Sequence, residues 1–90
     1  MPTILVDRGL NMTTGKAAAQ VGHASMLLAA SRDLDWVRAW AEKGFELDVR
    51  EVTSGEFSGY AGTPGAVAVR DAGFTEVAPD SLTVLAFAGQ

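Results

Sequence analysis

The sequence predicts a small α/β fold: four strands in one sheet, with two main helices packed on it. Three observations carry that prediction. Four short segments have strand patterns, at residues 3–6, 45–52, 66–69 and 82–87. Two helix-periodic stretches separate the first two of these, which calls for a crossover and hence a parallel pair. The composition, 48% hydrophobic and 20% charged over 90 residues, is that of a globular chain and not a disordered one. It suffices for one domain, residues 1–90. The core is modest, because so short a chain buries only about two-thirds of its unfolded surface.

Thr3-Ile4-Leu5-Val6 is apolar and partly β-branched, and reads as a buried strand. Gly9 to Met12 breaks it. Thr13 or Thr14 suits a helix N-cap. The helix runs to about Ser31, with Ala17, Val21, Ala24 and Leu28 sharing one face. Its small residues, Ala17, Ala18, Ala19, Gly22 and Ala24, predict a close approach to the sheet. Asp33 or Asp35 caps a second helix striped by Trp36, Val37, Trp40 and Ala41, and Gly44 suits its C′ position. Trp36 and Trp40 are expected in the core or at a dimer contact. Phe45 to Val52 alternates, predicting a half-exposed strand with Phe45, Leu47, Val49 and Val52 roughly inward. Residues 53–65 hold four glycines and a proline, and are expected to be loop with at most one frayed helical turn. Residues 66–69 form a third strand, ended by Asp71-Ala72-Gly73. Pro79-Asp80 makes a turn, and Leu82 to Phe87 is the fourth strand. The short connection between the last two strands leaves either pairing direction open.

Composition also excludes chemistry. There is no cysteine, hence no disulfide scaffold, thiol nucleophile or Cys-based metal site. A single histidine, His23, rules out a multi-histidine metal site. Seven Lys and Arg face eleven Asp and Glu, for a net charge of −4, where nucleic-acid binders normally carry a basic excess. Glu42, Glu46, Asp48 and Glu51 read as a solvated acidic rim. No run approaches the ~18 apolar residues of a membrane span. Asp7 and Arg8 follow the first apolar run too soon for a signal peptide, so a cytoplasmic location is expected. Gly15 and Gly73 have neither the Walker nor the dinucleotide-binding spacing.

The residues left to carry chemistry fall in two places. Lys16, Gln20 and His23 stand at i, i+4 and i+7, on one helix face. Lys16 lies in the first turn, where the helix end is electropositive and a cation is disfavoured. A lysine there serves to stabilise an oxyanion, bind an anionic group or pair with a carboxylate; otherwise it is an exposed lysine beside a frayed cap. His23 is either a site residue or a half-buried structural one. Asp71 follows a buried strand, and strand C-termini of open α/β sheets are where ligands bind. Asp71 there can orient a water or hold Lys16, with Thr75 as a hydrogen-bond donor. The alternative is an Asp-Gly turn that only reverses the chain.

Gly15-Lys16-Ala17-Ala18-Ala19-Gln20-Val21-Gly22-His23-Ala24 resembles the first-helix motif of the type 2 peptidyl-tRNA hydrolases, the archaeal and eukaryotic class. Val69-Arg70-Asp71-Ala72-Gly73-Phe74-Thr75-Glu76-Val77-Ala78-Pro79 resembles that family's second motif, and residues 81–86 the strand after it. The resemblance runs from about Ile4 to Phe87 and is weakest between Val52 and Gly65. It implies a mixed four-stranded sheet flanked by helices, often dimeric. It implies hydrolysis of the ester joining a peptide to the ribose of tRNA, with neither metal nor cofactor. Lys16 and Asp71 match the family's lysine and aspartate and are the implied catalytic residues. Gln20, His23 and Thr75 match further site residues, and with Arg8 are the expected substrate contacts.

Departures from the family pattern are specific. Its basic first loop is replaced here by Asp7, Asn11 and Thr14, with Gly9 in place of an aspartate and Arg8 as the one cation before Lys16. Its third helix is expected to be reduced to the 53–65 loop, and its last helix to be missing. Uncovered apolar surface then predicts a homodimer or larger oligomer. Fewer cations weaken attraction to phosphates. The alternatives are therefore an enzyme using Lys16 and Asp71 on a small-molecule substrate, and a non-catalytic dimeric module binding through Trp36 and Trp40.

Overall fold

A computed structural model describes residues 1–71 and 81–89. The elements are β1 (Thr3–Asp7), a 3-10 turn (Arg8–Leu10), α1 (Thr14–Ala30), α2 (Leu34–Glu42), β2 (Asp48–Val52), α3 (Ser54–Ala61), β3 (Val67–Arg70) and β4 (Leu82–Phe87). The expected turns at 72–73 and 79–80, and Thr75, lie outside the described residues.

The four strands form one mixed sheet in the order β2-β1-β4-β3. β1 and β2 pair in parallel, as the helical crossover requires. β4 is antiparallel to both β1 and β3. Two antiparallel steps leave β3 running with β1 and β2, so all three end at the same edge of the sheet. β1 and β4 are the central strands. Their alternation sends Ile4, Val6, Val84 and Ala86 to one face, where Ala24 and Leu28 of α1 cover them. Leu5 and Leu85 face the other way, onto Phe57 of α3.

α1 keeps the predicted contact face. Ala24 and Leu28 are buried and Val21 packs beside them. Of the small residues, Ala18, Ala19 and Gly22 are exposed, and a Cβ on Gly22 would meet open space. The close approach therefore uses Ala17 and Ala24 alone. Thr13 caps the helix by accepting from Lys16 N at 3.2 Å, and Asp33 caps α2 by accepting from Trp36 N at 2.8 Å.

Two expectations are corrected. Phe45 does not belong to β2, which starts at Asp48. Gly44, with φ +77°, ends α2 in a Schellman motif. Gly44 N donates to Ala41 O at 2.9 Å and Phe45 N to Trp40 O at 3.0 Å. The Phe45 ring then meets Trp40 edge-on at 5.2 Å, and Trp40 Nε1 donates to Glu46 O at 2.9 Å. The helix stop consumes the first residues of the alternating run and leaves Phe45 about half exposed rather than inward, and Val49, on the outer strand β2, is about half exposed too. Secondly, residues 54–61 are a two-turn helix and not a loop. Thr53 and Glu56 form the T-x-x-E pair of a helix start: Thr53 Oγ1 accepts from Glu56 N and donates to Glu56 Oε1. Phe57, 3% exposed, anchors the helix on the sheet. That cap and one buried ring outweigh the glycine cost of roughly 1 kcal/mol each.

Candidate active site

The site lies where β1, β2 and β3 end together. α1 starts just after β1, so its first turn carries Lys16 over that edge. Asp71 directly follows β3, and Asp71 N donates to Ser81 O at 2.9 Å, tying it to the start of β4. Lys16 Nζ donates to Asp71 Oδ2 in an ion pair. The two side chains are 14% and 7% exposed, respectively, so water screens the pair little. Gln20, one helical turn further on, donates from Nε2 to the same Oδ2 at 2.9 Å. Gln20 is itself 1% exposed. Its Oε1 accepts from Thr83 Oγ1 at 2.6 Å, and Thr83 is completely buried on β4. One polar line thus runs from the sheet interior to the helix start: Thr83, Gln20, Asp71, Lys16.

The remaining predicted residues stand apart from this line. Arg8 is exposed and borders a cleft of about 130 Å³, with Asp7, Asn11, Met12, Ala17 and Glu51 among its walls. His23 is exposed, at a shallow groove that includes Met26, Leu27, Val69 and Arg70. Asp7 is buried and structural: its Oδ1 accepts from Gly9 N at 2.9 Å and from Ser54 Oγ at 2.7 Å, joining β1 to the start of α3. Among the described residues no group of three or more His, Asp or Glu is placed to hold a metal ion. None of the described helices is long and apolar enough to cross a membrane.

This arrangement suits carbonyl chemistry. A carboxylate able to orient water sits against an ammonium able to meet developing negative charge. A family model described as peptidyl-tRNA hydrolase PTH2 matches residues 2–89. The chain belongs to that family. It is 33% identical over 96 residues to a peptidyl-tRNA hydrolase of Pyrobaculum aerophilum, covering 92% of this chain and 78% of that one. It is 30% identical over 93 residues to a peptidyl-tRNA hydrolase of Thermococcus onnurineus, with the same coverages. PTH2 membership places the chain among hydrolases, and the mixed sheet with its flanking helices accords with it.

Thr83 is the member of the polar line that sequence reasoning missed. Strict alternation puts it on the face opposite Val84. The register instead shifts between Val69 and Arg70, which pair with Val84 and Leu82 and skip Thr83. A bulge of this kind re-aims a side chain, and here it turns Thr83 towards α1. The available signal was a threonine, a polar residue, within an otherwise apolar strand.

Proposed function

We propose that the chain hydrolyses the ester of peptidyl-tRNA or aminoacyl-tRNA, without metal, using Asp71 and Lys16. The observation that carries this reading is the shielded contact between Lys16 and Asp71 at the strand ends. Asp71 orients a water and takes its proton as the water oxygen attacks the ester carbonyl carbon. Lys16 stabilises the oxyanion that forms. The bond to the ribose oxygen then breaks, and that oxygen receives the proton from Asp71. Arg8 and His23, both exposed, contact the tRNA, and Thr75 assists substrate binding as the family motif suggests. Gln20 is too buried for a substrate contact and is assigned to holding Asp71. The enzyme acts in the cytoplasm as a homodimer, its exposed Met26, Leu27, Leu34, Phe45, Val49 and Tyr60 supplying apolar area for an interface.

The test is hydrolysis of N-acetyl-aminoacyl-tRNA by the wild type, Lys16→Ala and Asp71→Asn. Loss of an oxyanion donor costs about 10²–10³ in kcat, and loss of a general base about 10²–10⁴. A wild type no faster than its variants refutes the reading. Light scattering at micromolar concentration tests the dimer, and a monomeric mass excludes it.

A second reading is favoured by the cleft, where Asp7 and Glu51 accompany Arg8 in a chain of net charge −4. In that reading the same pair cleaves a small ester. Cleavage of a small ester, lost in both variants, together with inertness towards the tRNA ester, selects it.

A further inference from the structure

We infer that Thr83 is a positioning residue for this reaction, holding the Gln20 amide in the one orientation that donates to Asp71. The inference rests on the reading of Asp71 as the group that orients water.

An amide has a carbonyl end and an NH2 end, and both ends of Gln20 are engaged. Thr83 Oγ1 stands 2.6 Å from Oε1, and Nε2 stands 2.9 Å from Asp71 Oδ2. A half-turn of the amide sets Oε1 against the carboxylate, acceptor against acceptor. It also obliges the single Thr83 proton to go to Val69 O, 3.4 Å away, a poor distance for a hydroxyl donor. Both ends therefore select the same orientation. Thr83 is 0% and Gln20 1% exposed, so water does not replace either bond, and an unmet polar atom there is costly.

Strand formation alone gives no reason for a hydroxyl at this place. A valine has the same shape, suits a strand and needs no partner. The hydroxyl has a use only because the β4 bulge turns it from the Leu85 face to the α1 face, towards Gln20. The carboxylate of Asp71 is thus gripped by Lys16 from the first turn of α1 and by Gln20 from the next. Thr83 secures the second grip from beneath. A shift of roughly an ångström in a reacting group lowers the rate of the chemical step by up to about 10²-fold.

The test compares the full-length wild type with Thr83→Val and Thr83→Ser on N-acetyl-aminoacyl-tRNA. Valine removes the hydroxyl and keeps the shape; serine keeps the hydroxyl. We expect kcat to fall about tenfold or more in Thr83→Val with KM changed less than about twofold, and serine to restore most of kcat. A fall smaller than about threefold in Thr83→Val overturns the inference, as does an equal fall in both variants, which indicates packing. The Gln20 side-chain amide protons, followed by NMR, supply a readout independent of turnover. They should exchange slowly in the wild type and Thr83→Ser, and faster in Thr83→Val. If the wild type does not cleave the ester, the proposed function fails, and this signal decides on Thr83. Unchanged exchange in Thr83→Val then refutes its positioning role, and accelerated exchange sustains it.

Discussion

Replacing Lys16 by methionine removes one charge from a pair that water scarcely reaches. The Asp71 carboxylate, 7% exposed, would then keep Gln20 as a donor at 2.9 Å but lose its counter-ion. Breaking a fully buried pair costs about 3–5 kcal/mol. The Gln20 bond and the positive end of α1 offset part of this, leaving about 2–3 kcal/mol. At roughly 4–8 °C per kcal/mol for a domain this size, Lys16→Met lowers Tm by about 10–20 °C. Asp71→Asn costs less, about 1 kcal/mol, because the lysine stem swings its ammonium into water. The double variant removes both charges of this pair, and its stability should return to within about 1 kcal/mol of wild type while hydrolysis stays absent. Urea unfolding followed by circular dichroism, extrapolated linearly, measures all four proteins. Losses that simply add, within about 0.5 kcal/mol, refute the coupling and with it the shielded ion pair.

Three further outcomes follow from particular residues. A Cβ on Gly9 would stand 1.9 Å from Ser54 Oγ, so Gly9→Ala must break the Ser54–Asp7 bond and should cost about 1–3 kcal/mol; adding Ser54→Ala should recover part of it in thermal melts. Gly22 and Gly44 both face open space but differ in backbone, Gly44 having φ +77°. Gly22→Ala should therefore stabilise by about 0.5–1 kcal/mol and Gly44→Ala destabilise by about 1–2 kcal/mol, a difference of sign readable by urea unfolding. With so few cations near the site, tRNA binding measured between 50 and 200 mM salt should give a log–log slope no steeper than about −3, and a slope near −6 would show an unrecognised basic surface.

Much of this molecule was legible because local chemistry and tertiary need agreed. The predicted fourth strand, Leu82 to Phe87, has the observed bounds, and the parallel pairing of β1 and β2 follows from the helices between them. Lys16 and Asp71 were legible as candidates from helix position and strand end, and their contact is now direct. Legibility failed where one signal masked another. Four glycines hid α3, although Thr53 and Glu56 announced its start. An alternating pattern hid the Schellman stop, which takes Phe45 out of the strand. Thr83 was hidden by the assumption of an unbroken period. Gln20 was expected to share one face with Lys16 and His23 and to contact substrate; that face is wide enough for Gln20 to turn inward and His23 outward.

The central strand pair has a consequence for the order of events during synthesis. Thr3 pairs with Phe87, residues made near opposite ends of the described chain, yet these strands form the middle of the sheet. β2 and β3, made between them, are outer strands. A chain emerging from the ribosome can form α1 and α2 early from local contacts, but β1 waits for its central neighbour until β4 has cleared the exit tunnel. Most of the sheet therefore closes late and nearly at once, with distant pairing as the slow step. The Lys16–Asp71 pair sits beside the β3–β4 seam, so the site is completed only once β4 has joined the sheet.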